Sequence, residues 1–505
     1  MKDLYITTSI PYVNGSPHLG HALEVVHADV LARHRRQRGA TVRLQSGTDD
    51  HAIKNVTAAA AAGVPVAEFV GRNADGFERL ASGLEVHPDV FLRTSAEVRH
   101  RAGVNALWRA CRAAGDLYQK DYTGLYCAGC EQFYELDELV DGILCVEHRS
   151  PVQRVTETNW FFRLSRYREQ VATAITSGQL TVKPVERRNE VLGFLAGEVH
   201  DLSVSRPSAR AAGWGIQVPD DPDQVVYVWF DALANYITGL GYGSDDHTDY
   251  RRWWTRAVDR THVIGKGIVR FHAIYWIAFL LSAGLELPSR ILVHDYLTVD
   301  GEKIAKSGAH AHQPQDLVLE YGVDALRWWL LRDPAPVGTT DFTIRRLVAT
   351  YNRDLANSVG NLASRTTTLA RKQGTWRSAP GHLAETSPRT GISLQEATHH
   401  LPGRVDTALD HYDFRSAGSA ITELAEEGNR FIEAEAPWHL ARVADMGDDA
   451  AARRFEAVIA LLLTSCRAAA RELEAFLPSG ATRLLAHLEP TVQAVVPVFP
   501  RLHTG

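Results

Sequence analysis

The first forty residues set most of what this chain can fold into. Residues 3–9 read as a strand, residues 11–17 (Pro-Tyr-Val-Asn-Gly-Ser-Pro) carry turn formers, and residues 19–38 have the spacing of an amphipathic helix. A second strand at 41–46 and alanine-rich helices at 53–63 and 66–84 continue the alternation. The pattern predicts an α/β fold with a doubly wound, Rossmann-like parallel sheet. Ligands of such sheets bind beyond the C-terminal strand ends. Two segments fall there, His18-Leu19-Gly20-His21 and Gly47-Thr48-Asp49-Asp50-His51.

His18 to His21 open a helix, where unpaired N–H groups and the positive dipole end suit polyphosphate. Two imidazoles there can donate hydrogen bonds to charge building on a pentavalent phosphorus, and Gly20 leaves room for an adenine on the backbone. A second motif, Lys303-Ile304-Ala305-Lys306-Ser307, supplies two mobile ammonium groups able to neutralise a departing pyrophosphate. Lysine is scarce: the chain has 54 Lys and Arg, of which eight are lysine. Lys303, Lys306 and the Lys266 of a Gly-Lys-Gly mark places where a compact point charge is wanted instead of a planar fork. Together the motifs predict a site that binds ATP and opens it at the α-phosphate.

Length and composition bound the rest. At 505 residues the chain holds two to four domains, and 45% hydrophobic with 23% charged residues is ordinary for a globular protein. The net charge of −6 requires any nucleic-acid contact to come from local basic patches. No apolar leader opens the chain, and the most apolar stretch, 273–284, is too short to span a bilayer, so the reading is cytoplasmic with no membrane partner. Of five cysteines, three cluster: Cys127-Ala-Gly-Cys130 and Cys145-Val-Glu-His148 form a C-x2-C…C-x2-H set. That spacing predicts one structural, tetrahedral zinc held by Cys127, Cys130, Cys145 and His148, stapling a small insert.

The expected organisation is a catalytic first half at 1–115 and a connective insert with the zinc knuckle at 116–225. A catalytic second half follows at 226–300, a region with the lysine loop at 301–350, and an all-α domain at 351–505. Residues 225–230, 261–265 and 291–294 read as strands, 270–283 as a helix, and 373–395 as a loop in the helical domain.

These residues resemble class I aminoacyl-tRNA synthetases, and within them the methionyl-tRNA synthetase family. The likeness runs through Ile10-Pro-Tyr-Val-Asn-Gly-Ser-Pro-His-Leu-Gly-His21, Gly47–His51, the single zinc knob, Asn159-Trp-Phe-Phe-Arg163 and Leu202-Ser-Val-Ser-Arg206. It continues in Val228-Trp-Phe-Asp-Ala-Leu233, Ile264-Gly-Lys-Gly-Ile-Val-Arg-Phe-His272, Lys303–Ser307, Gly360-Asn-Leu-Ala-Ser-Arg365 and Ala436-Pro-Trp438. The resemblance implies roles. His18 and His21 stabilise the α-phosphate transition state, with Gly20 and Ser307 also at ATP. Lys303 and Lys306 hold the β,γ-phosphates, and Arg206 orders the activated state. Asp49 takes the amino acid's ammonium. Ile10, Tyr12, Trp229, Ala232, Leu233, Tyr236, Phe271 and His272 line a pocket suited to a soft thioether, with Tyr12 and His272 hydrogen-bonding each other or the sulfur. Asn361, Arg365 and Trp438 read the anticodon by base-edge bonds and stacking. The implied partners are tRNA(Met), ATP with Mg²⁺, and L-methionine, acting on a monomer without an appended C-terminal dimerisation domain.

The chain departs from the family pattern at Ala52, Ala305, Gly267 and Ile277, where a glycine, a serine, an acid and a proline are usual, and His148 stands where a fourth cysteine is frequent. Two other readings stay open at this point: a synthetase-like ligase joining an activated amino acid to a small amine, and a non-catalytic tRNA-binding paralogue.

Overall fold

The computed structural model describes residues 2–127, 132–147, 149–303, 312–372, 390–490 and 496–504. It begins β1 (Asp3–Thr8), α1 (Leu19–Gln37), β2 (Thr41–Thr48), α2 (Ile53–Ala62), α3 (Val66–Gly83), β3 (Val90–Arg93) and α4 (Val98–Ala113). The next stretch is β4 (Leu117–Cys127), β5 (Gln132–Tyr134), β6 (Gln153–Phe162), α5 (Arg168–Thr176), β7 (Thr181–Lys183), α6 (Val185–Ala196), β8 (Leu202–Ser203), β9 (Ser205–Pro207), β10 (Gln217–Val218) and β11 (Asp221–Val226). The alternation then resumes in α7 (Val228–Thr238), a short α8 (Thr248–Tyr250), β12 (Asp259–Gly265), α9 (Trp276–Ser282) and β13 (Arg290–His294).

Six strands form the central sheet in the order β3-β2-β1-β12-β13-β7, and each neighbouring pair is parallel. The chain moves outward from β1 through β2 to β3, and outward from β12 to β13 on the other side. The crevice beyond the ends of β1 and β12 is therefore a topological switch point. β7 lies within the segment expected as insert, yet it pairs with β13 at the sheet edge. Three residues are too few to show a period.

Two expectations are corrected. Residues 225–230 are not one strand: β11 ends at Val226 and pairs with β9 and β10, while Val228 begins α7. From Phe230 through Thr238 every residue of α7 is buried. A helix buried on nearly every side has no solvent-facing polar stripe to announce itself, so its β-branched and aromatic start reads as strand. Residues 390–395, expected as loop, belong to a helix; 373–389 lie outside the described residues.

The remainder is β14 (Leu297–Val299), β15 (Glu302–Lys303), α10 (Pro314–Tyr321), α11 (Val323–Arg332) and β16 (Thr340–Phe342). Helices follow: α12 (Ile344–Tyr351), α13 (Asn361–Lys372), α14 (Thr390–Asp410), α15 (Phe414–Glu435), α16 (Pro437–Asp445), α17 (Asp449–Phe476) and α18 (Pro478–His487). This helical part shares one continuous core with the sheet face covered by α1 and with α11. At the junction the fully buried Arg327 donates to Asp29 of α1 at 2.7 Å and to the carbonyls of Leu84 and Phe476. A buried guanidinium needs such a complete set of acceptors. Among the described residues no helix is long and apolar enough to cross a membrane.

Candidate active site

α1 starts where β1 ends, and its first turn is built from the two histidines. His18 is the N-cap: its Nδ1 accepts the Gly20 N–H at 3.1 Å, and its own N–H donates to His21 Nδ1 at 3.0 Å. This is a capping box made with imidazoles. Because each Nδ1 is an acceptor, each neutral ring carries its proton on Nε2. The rings stack with centroids 3.7 Å apart, and each has an Nε2–H able to donate. A Cβ on Gly20 would sit 3.0 Å from His18 Cε1, so any other residue there would press on the ring.

Glu24 lies one turn further along α1. Its Oε1 accepts from the Ser9 N–H at 2.8 Å and Ser9 Oγ at 2.6 Å, and its Oε2 is 3.1 Å from His294 Nε2 at the end of β13. The set bridges the C-terminal ends of β1 and β13 across Gly265 of β12. A cleft of about 330 Å³ beside it is lined by Ser9, Pro11, His21, Glu24, Gly47 and Phe77. Glu24 and His294 were absent from the sequence reading. Glu24 was findable, since it shares the His21 face at i, i+3.

Of the residues expected to line a side-chain pocket, Tyr12, Trp229, Tyr236, Phe271 and His272 are linked by ring contacts and a hydrogen bond. Trp229 stacks on Phe271 at 3.8 Å, meets Tyr12 edge-on at 5.9 Å and lies 6.4 Å from His272. Ala232, Leu233 and Tyr236 follow Trp229 on α7 and are buried, as is Ile10. Trp229 Nε1 is buried and, among the described residues, has no hydrogen-bond partner. The expected Tyr12–His272 bond is corrected. His272 Nδ1 is 2.9 Å from the Ile268 carbonyl and must donate to it, so His272 Nε2 accepts from the Tyr236 hydroxyl at 2.7 Å. Burial pushes the His272 pKa down to about 4, so the ring is neutral at pH 7. Lys54, not singled out by sequence, sits 3.9 Å above the Tyr12 ring.

Asp49 lies beside Tyr12, joined by an isolated bridge and by its N–H donating to the Pro11 carbonyl at 2.9 Å. It is 1% exposed, and its Oδ1 accepts the His51 N–H at 3.2 Å. Ala52, where glycine was usual, is buried at φ −59°, a conformation open to any residue. Arg206 is not a surface residue. It is 3% exposed, its guanidinium lies 4.3 Å from the Tyr227 ring, and it donates to Ser203 and to the Ser205 carbonyl. Tyr227 leads directly into the Trp229 helix.

Lys303 closes a two-stranded hairpin, pairing with Thr298 across a turn whose Asp300 and Gly301 have φ of 51° and 82°. Both positive values belong to the turn type favoured by Asp-Gly. Ala305, Lys306 and Ser307 lie outside the described residues. Of the proposed zinc ligands, Cys127 ends β4 and Cys145 opens the next turn; both are fully buried and neither is in a disulfide. Cys130 and His148 lie outside the described residues.

Far from this cleft, Asn361 and Arg365 share a face of α13. Asn361 donates to Asn429 at 2.9 Å and Arg365 to Glu433 at 2.5 Å, both on α15. α15 ends at Ala436, whose φ of 43° turns the chain and presents Trp438, 45% exposed, on α16. The three residues gather at one end of the helical part.

Residues 4–150 and 134–367 match the family model described as tRNA synthetases class I (M). The methionine–tRNA ligase of Mycobacterium tuberculosis strain H37Rv is 38% identical over 512 residues, spanning 100% of this chain and 96% of the relative. That of Brucella suis is 37% identical, with 96% and 91% covered. Among solved structures, M. tuberculosis methionyl-tRNA synthetase in complex with methionyl-adenylate superposes with a TM-score of 0.90 at 38% identity, covering 96% of this chain and 93% of that one. The apo form of the same enzyme gives 0.85 at 34% identity, covering 100% and 99%. With a cap of two histidines at the switch point of a parallel sheet, a cluster of aromatic rings and this likeness over the whole length, the chain belongs to the methionine–tRNA ligase family of class I tRNA synthetases.

Proposed function

We propose that the protein activates L-methionine with ATP and transfers it to tRNA(Met), giving Met-tRNA, AMP and pyrophosphate. What supports this reading is two features at the end of the sheet: the stacked imidazoles of His18 and His21 at the switch point, and the Trp229–Phe271–Tyr12 ring cluster bridged to Asp49 through Tyr12.

In the first step a methionine carboxylate oxygen attacks the α-phosphorus, the bond to the bridging oxygen breaks, and pyrophosphate leaves. His18 and His21 donate from Nε2 to the oxygens on which charge builds. Preorganised donors of this kind contribute roughly 3–4 kcal/mol each. Lys303 and Lys306 neutralise the leaving pyrophosphate, Ser307 and Gly20 complete the ATP contacts, and Mg²⁺ arrives with ATP. Asp49 binds the substrate ammonium by a charge-assisted bond, and Arg206 orders the adenylate. The thioether lies among Ile10, Tyr12, Trp229, Ala232, Leu233, Tyr236, Phe271 and His272. In the second step the terminal ribose hydroxyl of the tRNA attacks the activated carbonyl and AMP departs. Asn361, Arg365 and Trp438 read the anticodon. No protein nucleophile is needed; orientation and electrostatics carry the barrier.

The fully buried thiols of Cys127 and Cys145 fit a structural zinc, which with Cys130 and His148 would hold the insert's knob together. In this reading the protein is cytoplasmic and monomeric. It is organised as a catalytic domain at 1–115 and 226–300, a connective insert at 116–225, a lysine-loop region at 301–350 and an anticodon-binding domain at 351–505.

The test is ATP–pyrophosphate exchange across the twenty amino acids, followed by charging of tRNA transcripts with CAU or altered anticodons. Exchange driven by methionine, and charging that depends on CAU, are expected. Exchange without anticodon dependence would favour the small-amine ligase. Absence of exchange would favour a non-catalytic tRNA-binding role.

A further inference from the structure

Tyr296 is the last residue before β14, whose antiparallel partner β15 carries Lys303. Three contacts fix its side chain. Lys266 Nζ lies 4.4 Å from its ring centroid. Its hydroxyl donates to Glu147 Oε2 at 3.2 Å, and Glu147 lies between Cys145 and His148 in the cysteine knob. The same hydroxyl fills the space beside Gly267: a Cβ built there would lie 2.3 Å from the phenolic oxygen and 3.4 Å from the nearest ring carbon. The clash is thus with the oxygen alone, since 3.4 Å is ordinary contact. Lys266 and Gly267 belong to the turn that follows β12 at the switch point.

We propose that Tyr296 is a positioning residue for the activation step, tying the lysine hairpin at once to the turn after β12 and to the cysteine knob, and that residue 267 is glycine so that this phenol can seat. The hairpin is short, with three residues in β14 and two in β15; β16 pairs with the other edge of β14, and Tyr296 adds the ties toward the turn after β12 and the knob. Lys303 pairs with Thr298, two residues beyond Tyr296. A shift of the tyrosine is therefore passed to the lysine end with almost no chain to absorb it. The inference also accounts for the spending of a scarce lysine at 266: its charge rests on the ring whose hydroxyl reaches the knob.

The inference rests on the adenylate-forming reaction proposed above, and a four-protein cycle tests it. Wild type, Gly267→Ala, Tyr296→Phe and the double variant are compared by methionine-dependent ATP–pyrophosphate exchange, with KM for ATP and kcat measured separately. Gly267→Ala is expected to reduce kcat/KM for ATP by about tenfold or more, the scale of a small misplacement of catalytic groups. Tyr296→Phe, which keeps the ring on Lys266 but loses the Glu147 bond, is expected to cost several-fold less. The double variant is expected to match Tyr296→Phe alone, because the oxygen that the new Cβ would strike is gone. Rescue by removing an oxygen is not an effect that general destabilisation produces. Wild-type kinetics in Gly267→Ala, or additive losses in the double variant, would overturn the inference while leaving the enzyme assignment intact. Absence of exchange in the wild type would overturn both.

Discussion

Asp231 Oδ2 lies 2.6 Å from His51 Nδ1, deep beneath the site, and its other oxygen is bound by His100 Nε2. His100 is itself held by Thr238 Oγ1 at 2.7 Å. Burial pulls the His51 pKa down, but the charge and hydrogen bond of Asp231 outweigh it, and the net shift is upward. Burial raises Asp231, yet His51 and His100 outweigh that and hold its carboxyl well below the usual carboxylate range. His51 follows Asp49 by two residues and its N–H donates to Asp49 Oδ1, so this buried pair sets the backbone beside the carboxylate proposed to bind the ammonium.

Asp231→Asn is expected to destabilise the protein by about 3–5 kcal/mol, the range for removing one partner of a buried ion pair. The sign with pH follows from both shifts. The His51 contribution is complete below its ordinary 6.5 and is lost as pH rises through its raised value; the Asp231 contribution is present above its ordinary 3.8 and is lost as pH falls. The gap in denaturant stability between wild type and variant should be widest between those two values and narrow at pH 9. A constant gap would contradict the ion pair.

In the proposed reaction His18 has two separable duties, the observed capping of α1 and donation from Nε2. His18→Ala should lose both: about 1 kcal/mol of stability and about 10²–10³ in exchange kcat. His18→Asn supplies an acceptor for the Gly20 N–H but no donor at the Nε2 position. Thermal melts should show its stability near wild type, while exchange remains as slow as in the alanine variant.

Acid should unfold this protein from below neutral pH, before the carboxylates titrate. His262 and His272 are 0% and 1% exposed, and burial holds both pKa values below the ordinary 6.5, to about 4 for His272. Below 6.5 the unfolded chain takes up protons that the folded chain refuses, so stability falls as pH drops. His272→Gln should lessen the slope of stability against pH between 6 and 4.5 by about one proton.

Metal analysis of the purified protein should find one zinc per chain. Cys127→Ser should lower that content and lower the melting temperature; full zinc retention in that variant would remove Cys127 from the ligand set.

Trp438→Ala should raise KM for tRNA in the charging reaction by about 5- to 150-fold, the equivalent of 1–3 kcal/mol for one stacked base. A KM within twofold of wild type would show that no base stacks there.

The order of elements at 3–84 was legible from periodicity, because partly exposed helices such as α1 and α3 keep a polar face. α7 was not, because it is buried all round and its opening Val-Trp-Phe carries strand-like side chains. The pocket aromatics Trp229, Phe271 and Tyr12 were legible only through resemblance, since nothing in their local sequence distinguishes a pocket wall from ordinary core. Glu24 was within reach by helical spacing from His21, whereas His100 and Asp231, 131 residues apart, carried no local signal.

By itself the sequence determined the strand–turn–helix opening, the place of the two histidines at the helix start, the α/β class and the C-x2-C…C-x2-H spacing, because each depends on residues close together in the chain. Only the tertiary structure decided that His272 bonds Tyr236 and not Tyr12, that Asp231 is clamped between two histidines, and that the Tyr296 hydroxyl fills the space at Gly267. Those are choices between partners far apart in sequence. They are settled by which groups meet where water is excluded and a buried polar atom without a partner is costly.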